Sequence, residues 1–180
     1  MKLTHTIFCA TLVAASAVCY AGDERETLVV GKSTPSPDQL TNFLFPEAQC
    51  ESTKYQCLAV RPTGERSVGM DIRFPTASAE LTPEARAQLE NLGKALAARS
   101  GKLAPGEIVI EGHTDARGSD ELNRKLSAAR AQSVARHLVA VYGVDAKALR
   151  PVGKGKEDLK DTANPDSQAN RRVELVRTAK

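Results

Sequence analysis

The sequence predicts an α/β sandwich, in which helices pack on one small sheet. The first observation is the order of apolar patterns after residue 67, which runs strand, helix, strand, helix, strand, strand. The second is that capping residues stand where the two long helical patterns begin, Thr82 before the first and Ser119 before the second. Residues 22–67 precede this region as a short lead-in segment.

The same patterns predict the bounds of each element. Residues 68–74 alternate between apolar and polar or small side chains, which is typical of a half-buried strand. Gly143 ends the second long helix, and Ser36 and Pro37 begin a short helix within the lead-in. The predicted elements after the lead-in are a strand at 68–74, a helix from 82 to 100, a strand at 107–111, a helix at 119–142, and strands near 149–152 and 172–176.

Residues 1–21 have the features of a cleavable secretory signal peptide. Lys2 supplies the positive start, residues 7–18 are mostly apolar, and small residues allow cleavage after Ala21. Residues 15–17 offer an earlier cleavage site. Lipidation of Cys19 is the less favoured alternative, because Ser16 and Val18 stand where lipoprotein signals usually have a Leu-like and a small residue. We therefore expect an exported protein.

Two of the four cysteines, Cys9 and Cys19, lie in this leader, so the mature chain keeps Cys50 and Cys57. A pair this close in an exported chain is expected to form a disulfide, which would stabilise the fold by roughly 2–3 kcal/mol. A metal pair or a reactive thiol is the alternative, but His113 and His137 are distant in sequence.

Composition argues against several classes of protein. The formal net charge is +3, aromatic residues make up 4% of the chain, and there is no Trp. Nucleic-acid binding is not expected, because it calls for a basic surface or aromatic platforms. No uninterrupted apolar run after the leader is long enough to span a bilayer.

The second long helix carries two polar residues on its apolar side. On a helical wheel Asn123 and Arg130, seven residues apart, project from the middle of the apolar arc. A guanidinium directed toward the protein interior needs a carboxylate or a cleft. An internal ion pair, or an Arg that extends to the rim, is one explanation, and a binding site is the other. The apolar arc is predicted to contain Leu122, Leu126, Ala129, Val134, Leu138 and Val141.

Asp115 favours the binding site. It follows the second strand directly, at the sheet edge where ligands bind in layered α/β folds, and it precedes the N-terminus of the same helix. The free N–H groups of a first helical turn favour an anion. One acid, one base and free backbone donors suit a zwitterion, which carries an ammonium and a carboxylate.

Several motifs in fixed order resemble the OmpA-like C-terminal domain. The resemblance spans about residues 68–176, and we place the domain at 68–178. Its fold implies a βαβαββ core with helices on a small mixed sheet. One departure follows residues 153–155, where the family often has a Pro and this chain continues Lys156-Glu157-Asp158-Leu159. The matching motifs are Gly112-His113-Thr114-Asp115-x-x-Gly118, Asn123-x-x-Leu126-Ser127-x-x-Arg130-Ala131, Asn170-Arg171-Arg172-Val173-Glu174, and Asp71 to Phe74 with Leu81-Thr82.

The resemblance implies noncovalent binding of peptidoglycan through the diaminopimelate of its stem peptide. Asp115 would receive the ammonium and Arg130 a carboxylate, while Asn123 would touch the stem peptide or brace the loop. His113 would line the cleft or support it, and Arg171 and Arg172 would cap the loop or contact the ligand. Thr114 and Gly118 complete the expected supporting residues.

The resemblance also implies a non-enzymatic protein of the periplasm, with the outer membrane as its expected neighbour and no cofactor or metal. A wall hydrolase is disfavoured because the chain lacks a spaced set of histidines for a metal. Peptidoglycan is the expected partner, and other envelope proteins are further candidates. The alternative function is a protein-interaction module of an envelope assembly, for which wall binding is secondary.

Overall fold

The computed structural model describes residues 26–30, 35–46, 49–53, 56–60, 65–70, 72, 74–75 and 78–178. The predicted signal peptide, residues 1–21, lies outside this part of the chain. The predicted Cys50–Cys57 disulfide concerns side chains that also lie outside it, so the pairing stays a prediction. None of the helices among the described residues is long and apolar enough to cross a membrane.

The described strands form one five-stranded mixed sheet and a separate hairpin. The sheet has the order β1-β4-β7-β5-β6; β1 is parallel to β4, β5 is parallel to β6, and β7 runs antiparallel to both of its neighbours. Among the described strands, β2 and β3 pair only with each other. The strand bounds are β1 Glu26–Val30, β2 Gln49–Thr53, β3 Gln56–Val60, β4 Arg66–Met70, β5 Ile108–His113, β6 Leu149–Gly155 and β7 Val173–Arg177.

Local capping residues define the three α-helices of the described ranges, which are α1 Pro37–Leu44, α2 Pro83–Ala97 and α3 Asp120–Tyr142. The Ser36, Thr82 and Ser119 side chains each accept a backbone N–H from the first turn of their helix. Gly143 ends α3 with φ at 69°, in the left-handed region that favours glycine. The order of strands and helices after the lead-in and the starts of all three helices are therefore confirmed.

Strand β4 differs from the prediction of a half-buried strand at 68–74. It covers Arg66–Met70, and its last four residues are buried on both faces. The reason is that side chains of the neighbouring strands cover its second face: Thr27 of β1 hydrogen-bonds to Ser67, and Glu174 of β7 lies against Gly69. Ile72 and Phe74 lie beyond its end.

The lead-in contributes to this same sheet and core. Strand β1 pairs along β4, and Leu40, Leu44 and Phe45 of the α1 region are buried in the main hydrophobic cluster. Arg66 donates to the Phe43 carbonyl, and Arg177 donates to the Leu44 carbonyl while its guanidinium stacks on the Phe45 ring. These contacts fix the C-terminal end of α1 against the sheet.

Helix α3 packs closely on β5 and β6 because glycines leave room for its backbone. A Cβ at Gly112 would lie 2.2 Å from the Ser127 carbonyl oxygen, and one at Gly153 would lie 2.5 Å from the Ala128 nitrogen. The Ser127 hydroxyl accepts the Gly155 N–H at 3.0 Å and donates to the Arg124 carbonyl. Small and polar side chains can therefore occupy the buried face at this crossing.

The apolar arc predicted for α3 is wrong in part. Leu122 is 65% exposed and Val141 58% exposed, Ala129 is exposed, and Leu126 is half-buried. The helix presents its small-residue face to Gly112 and Gly153, which turns these apolar side chains away from the sheet. The residues of α3 that are buried are Asn123, Ser127, Arg130, Ala131, Val134, Ala135 and Leu138.

Candidate functional site

Asp115 lies in the loop that joins β5 to α3 and is only 9% exposed. Its Oδ1 accepts the Arg117 backbone N–H at 3.3 Å, the local contact by which Asp commonly stabilises a turn. Its Oδ2 accepts a hydrogen bond from Arg171 Nη1 at 2.8 Å. The backbone N–H of Thr114 donates to the Gly155 carbonyl, which fixes the start of the loop on β6. The carboxylate is thus held in place at the end of the sheet.

Arg130 reaches the same region from the first half of α3. The residue is 6% exposed, its guanidinium lies 5.0 Å from the centre of the Phe74 ring, and its Nε donates to the Ser78 carbonyl at 3.1 Å. Burial and then the charge of Arg171 lower the pKa of Arg130, while Asp115 opposes the shift. An Arg stays protonated even so.

We call Asp115, Arg130 and Arg171 together the Asp115 site. Its three side chains carry two positive charges and one negative charge, and the negative charge is hydrogen-bonded to Arg171. Among the ion pairs of the described residues, none involves Arg130. A buried guanidinium without a carboxylate partner is costly, and it retains the capacity to bind an anion.

Asn123 and Gly118 shape the loop beneath this site. Asn123 is buried, and its Nδ2 donates to the Arg117 carbonyl at 2.7 Å, so the contact that it makes is with the loop backbone. Gly118 has φ at +86°, a conformation that L side chains rarely adopt. The Ser119 hydroxyl accepts the Leu122 N–H, so the cap already uses one of the helix donors expected to assist a ligand.

The loop between β6 and β7 supports the site from the other side through Asn170, which is fully buried. Its Nδ2 donates to the carbonyls of residues 161, 164 and 165, and its Oδ1 accepts the Asp161 N–H at 2.8 Å. The Pro165 carbonyl in turn accepts the Ala116 N–H at 3.0 Å. In the sequence, Asn170 stands out only as part of the motif Asn170-Arg171-Arg172-Val173-Glu174. The signal for its role was an Asn that directly precedes two arginines and follows a polar loop.

His113 and Arg172 belong to a separate ionic cluster on the sheet. Oxygen or nitrogen atoms of Glu111, His113 and Glu174 lie within 4.8 Å of one another. Burial and then the charge of Arg172 lower the pKa of His113 to about 4, so the ring is neutral at pH 7, and both of its nitrogens lack a hydrogen-bond partner. Arg172 Nε donates to Glu174 at 2.6 Å.

Within the part of the chain that the structure describes, Glu111, His113 and Glu174 are the set whose atom types could hold a metal ion. Lys154 Nζ lies 3.5 Å from Glu111, and Arg172 pairs with Glu174, so a cation already balances each carboxylate. A divalent ion would have to compete with both cations in a buried setting, which disfavours metal binding. The arrangement is therefore better described as an ionic network that joins β5, β6 and β7.

Comparison with known proteins places this site within a defined family. Residues 73–172, more than half of the chain, match the family model described as "OmpA family". The chain belongs to the OmpA family. Asp115, Arg130, Asn170 and Arg171 all lie inside the matched range, so the family region contains the site described above.

Two relatives and one solved structure illustrate the similarity. The chain is 40% identical over 104 residues to "Peptidoglycan-associated lipoprotein" of Pseudomonas aeruginosa. The aligned region covers 57% of this chain and 58% of that protein. It is 37% identical over 108 residues to "Outer membrane protein P5" of Haemophilus influenzae. Here the aligned region covers 59% of this chain and 29% of that protein. The chain thus matches less than two thirds of either relative.

The solved structure is the OmpA-like domain of FopA1 from Francisella tularensis. The two chains are 21% identical and superpose with a TM-score of 0.52. The superposition covers 74% of this chain and 89% of the FopA1 chain. At this identity the similarity concerns the fold alone. Helices on a five-stranded mixed sheet are accordingly the OmpA-like fold that the sequence motifs predicted.

Proposed function

We propose that this OmpA family chain binds peptidoglycan noncovalently through the diaminopimelate of the stem peptide. The observation that carries the proposal is the buried guanidinium of Arg130, which forms no ion pair among the described residues and lies close enough to Asp115 for that carboxylate to favour its charged form. A zwitterionic group would supply an ammonium for Asp115 and a carboxylate for Arg130. The name of the Pseudomonas relative, a peptidoglycan-associated protein, supports the same ligand.

The remaining residues have positioning roles in this proposal. Arg171 orients the Asp115 carboxylate and adds a second positive charge for the ligand carboxylate. Asn123 and Asn170 hold the two loops that carry Asp115 and Arg171. Fixed orientation matters because a ligand that binds a preorganised site loses less free energy to ordering.

The proposal is one of binding without catalysis. The two cations described beside Asp115, Arg130 and Arg171, are guanidiniums, and a guanidinium is a poor proton donor or acceptor for a substrate. We also propose that the chain is exported and acts at the periplasmic side of the envelope, where it tethers itself, and any envelope protein bound to it, to the wall. The names of the relatives, an outer membrane protein among them, support this location.

The test measures binding of the purified mature protein to isolated Gram-negative sacculi by sedimentation, and to a diaminopimelate tripeptide by calorimetry. We expect Asp115→Asn and Arg130→Gln to weaken tripeptide binding by roughly 30-fold or more, because a lost partner of a buried charge costs about 2–5 kcal/mol. Arg150→Gln and Asp38→Asn, which change exposed residues of the same types, serve as controls. Undiminished binding by both site variants would refute the proposal.

A further inference from the structure

A groove of about 450 Å³ opens beside Arg130. One wall is the segment of residues 79–81, and the other is the part of α3 that holds Ser133, Arg136 and His137. Arg86 of α2 also lines it. No role was assigned to this groove from the sequence, and it is not part of the Asp115 site.

The groove begins one residue beyond the carbonyl that Arg130 contacts. Arg130 donates to the carbonyl of Ser78, and the next residue along the chain, Ala79, already lines the groove. Ser133 and His137 follow Arg130 by three and seven residues, so they lie on the same face of α3. At 1.5 Å per residue, His137 is about 10 Å from Arg130 along the helix axis. A ligand held at Arg130 can therefore extend into the groove.

The groove carries a surplus of positive charge. Arg86 and Arg136 supply two guanidiniums, and neither takes part in an ion pair within the described residues. Arg136 Nη2 donates to Ser133 Oγ at 3.1 Å, which orients its guanidinium along the helix. Glu80 supplies the single carboxylate of the lining, so one positive charge is left unbalanced.

His137 adds an unsatisfied polar atom. Its Nε2 is buried and has no hydrogen-bond partner. Burial and the charge of Arg86 lower the pKa of His137, which favours the neutral ring. The Nε2 nitrogen is closed to solvent, so the groups that a bound anion would meet are the guanidiniums of Arg86 and Arg136, in a space large enough for a carboxylate and its neighbouring atoms.

We propose that this groove binds a second carboxylate of the same stem peptide, while the zwitterion is held at Asp115 and Arg130. The inference rests on the proposed function. In a stem peptide, an isoglutamyl residue precedes diaminopimelate and leaves its α-carboxylate free. The diaminopimelate chain and that residue span about three extended residue lengths, or ~10 Å. The groove therefore discriminates between stems with a free α-carboxylate and stems in which it is amidated.

Two synthetic tripeptides test this inference, one with D-isoglutamate and one with D-isoglutamine before diaminopimelate. We expect the full mature protein to bind the acid form roughly tenfold more tightly, since hydrogen bonds to charged groups are among the strong ones. The double variant Arg86→Gln/Arg136→Gln should lose this preference and bind both peptides as the parent binds the amidated one. Both residues are exposed, so the fold should tolerate the change.

Glu80→Gln provides a test in the opposite direction. Removing this carboxylate relieves repulsion of the bound anion, so affinity for the acid form should rise while affinity for the amidated form stays constant. Arg150→Gln, on the exposed part of β6, should leave both affinities unchanged.

The possible outcomes separate this inference from the proposed function. Equal binding of both tripeptides by the parent, together with weakened binding by Arg130→Gln, overturns the inference and leaves the proposed function standing. A preference for the acid form that persists in the double variant also overturns it. Failure of the parent to bind either peptide overturns both.

Discussion

Arg171 Nη1 donates to Asp115 Oδ2 at 2.8 Å, so a protein cation already engages the carboxylate proposed to receive the ligand ammonium. Arg130 lies within electrostatic range of the same carboxylate but donates its Nε hydrogen to the carbonyl of Ser78 instead. An incoming ammonium would share Asp115 with Arg171, while the ligand carboxylate would face two guanidiniums. Arg171 is therefore a central part of the site, although in the sequence it stands only two residues before the last described strand, β7.

Replacing Arg171 should weaken the site without abolishing it. We expect Arg171→Gln to lower affinity for the diaminopimelate tripeptide by roughly three- to tenfold, less than Arg130→Gln, because the Arg171 side chain is 40% exposed. Calorimetry at two salt concentrations measures the change. Arg150→Gln, which removes an exposed guanidinium on β6, is the matched control. Tighter binding by Arg171→Gln would mean that Arg171 competes with the ammonium.

Adding a methyl group at Gly112 or Gly153 should separate α3 from the sheet. The new Cβ would meet backbone atoms of α3 at 2.2 Å and 2.5 Å, and backbone cannot move aside cheaply. We expect Gly112→Ala and Gly153→Ala each to lower the free energy of unfolding by about 2–3 kcal/mol, as measured by urea denaturation. Gly69→Ala is the control, since its nearest atoms are 3.8 Å away. Equal effects at all three positions would contradict the prediction.

Removing the Asn170 side chain should loosen the loop that carries Arg171. Its amide makes four hydrogen bonds to the backbone, and truncation leaves those groups unsatisfied. We expect Asn170→Ala to cost about 2–4 kcal/mol of stability and to weaken tripeptide binding as well. Thermal denaturation and calorimetry give the two values. The exposed neighbour variant, Gln168→Ala, should change neither, and a stable Asn170→Ala protein would disprove the bracing role.

His113 should make the protein less stable as the pH falls. Burial and the charge of Arg172 lower its pKa from 6.5 to about 4, although Glu174 and Glu111 oppose the shift. Between pH 6.5 and pH 4 the unfolded chain therefore takes up a proton that the folded protein does not, and stability decreases by up to about 3 kcal/mol. Above pH 6.5 both states are neutral at this residue, and the full stability is present.

Substitution of His113 isolates this contribution. In His113→Leu the proton uptake is absent, so the free energy of unfolding should decrease less between pH 6.5 and pH 4 than it does in the parent. Urea denaturation at several pH values checks the difference. Parallel curves for parent and variant would show that His113 does not contribute.

Helix starts and the order of the elements could be predicted because their signals are local. Ser119 and Gly143 define α3 through contacts within a few residues, and both positions were confirmed. Strand β1 was missed because its five residues pair with β4, about 40 positions away, and carry no alternating pattern of their own. Such a strand is stabilised by a partner that periodicity does not identify.

The exposed face of α3 was predicted incorrectly for a similar reason. Ser127 is fully buried and Leu122 is exposed, which inverts the usual preference of both residue types. The cause is the close approach allowed by Gly112 and Gly153, which lie on strands β5 and β6. The buried face of α3 is thus determined by glycines of β5 and β6, which the sequence of α3 does not show.

Within the site, Asp115 and Arg130 were predicted as a pair, and the structure brings both to one region. The sequence did not predict that Asp115 would pair with Arg171, or that Arg130 would donate to Ser78. Both contacts join segments more than 50 residues apart, and neither follows from spacing along one helix or strand. Proximity could be predicted from topology, but hydrogen-bond partners could not.

The central position of β7 has a consequence for biosynthesis. This strand lies between β4 and β5, although its residues come after those of every other strand. The sheet therefore cannot be completed until residues 173–177 are available to pair, and Arg171 reaches Asp115 only at that stage. Until then β4 and β5 keep unpaired edges, on which chaperones can act and at which aggregation can begin. A chain that ends shortly before residue 173 would lack the strand that joins β4 to β5, so neither the five-stranded sheet nor the ligand site would be complete.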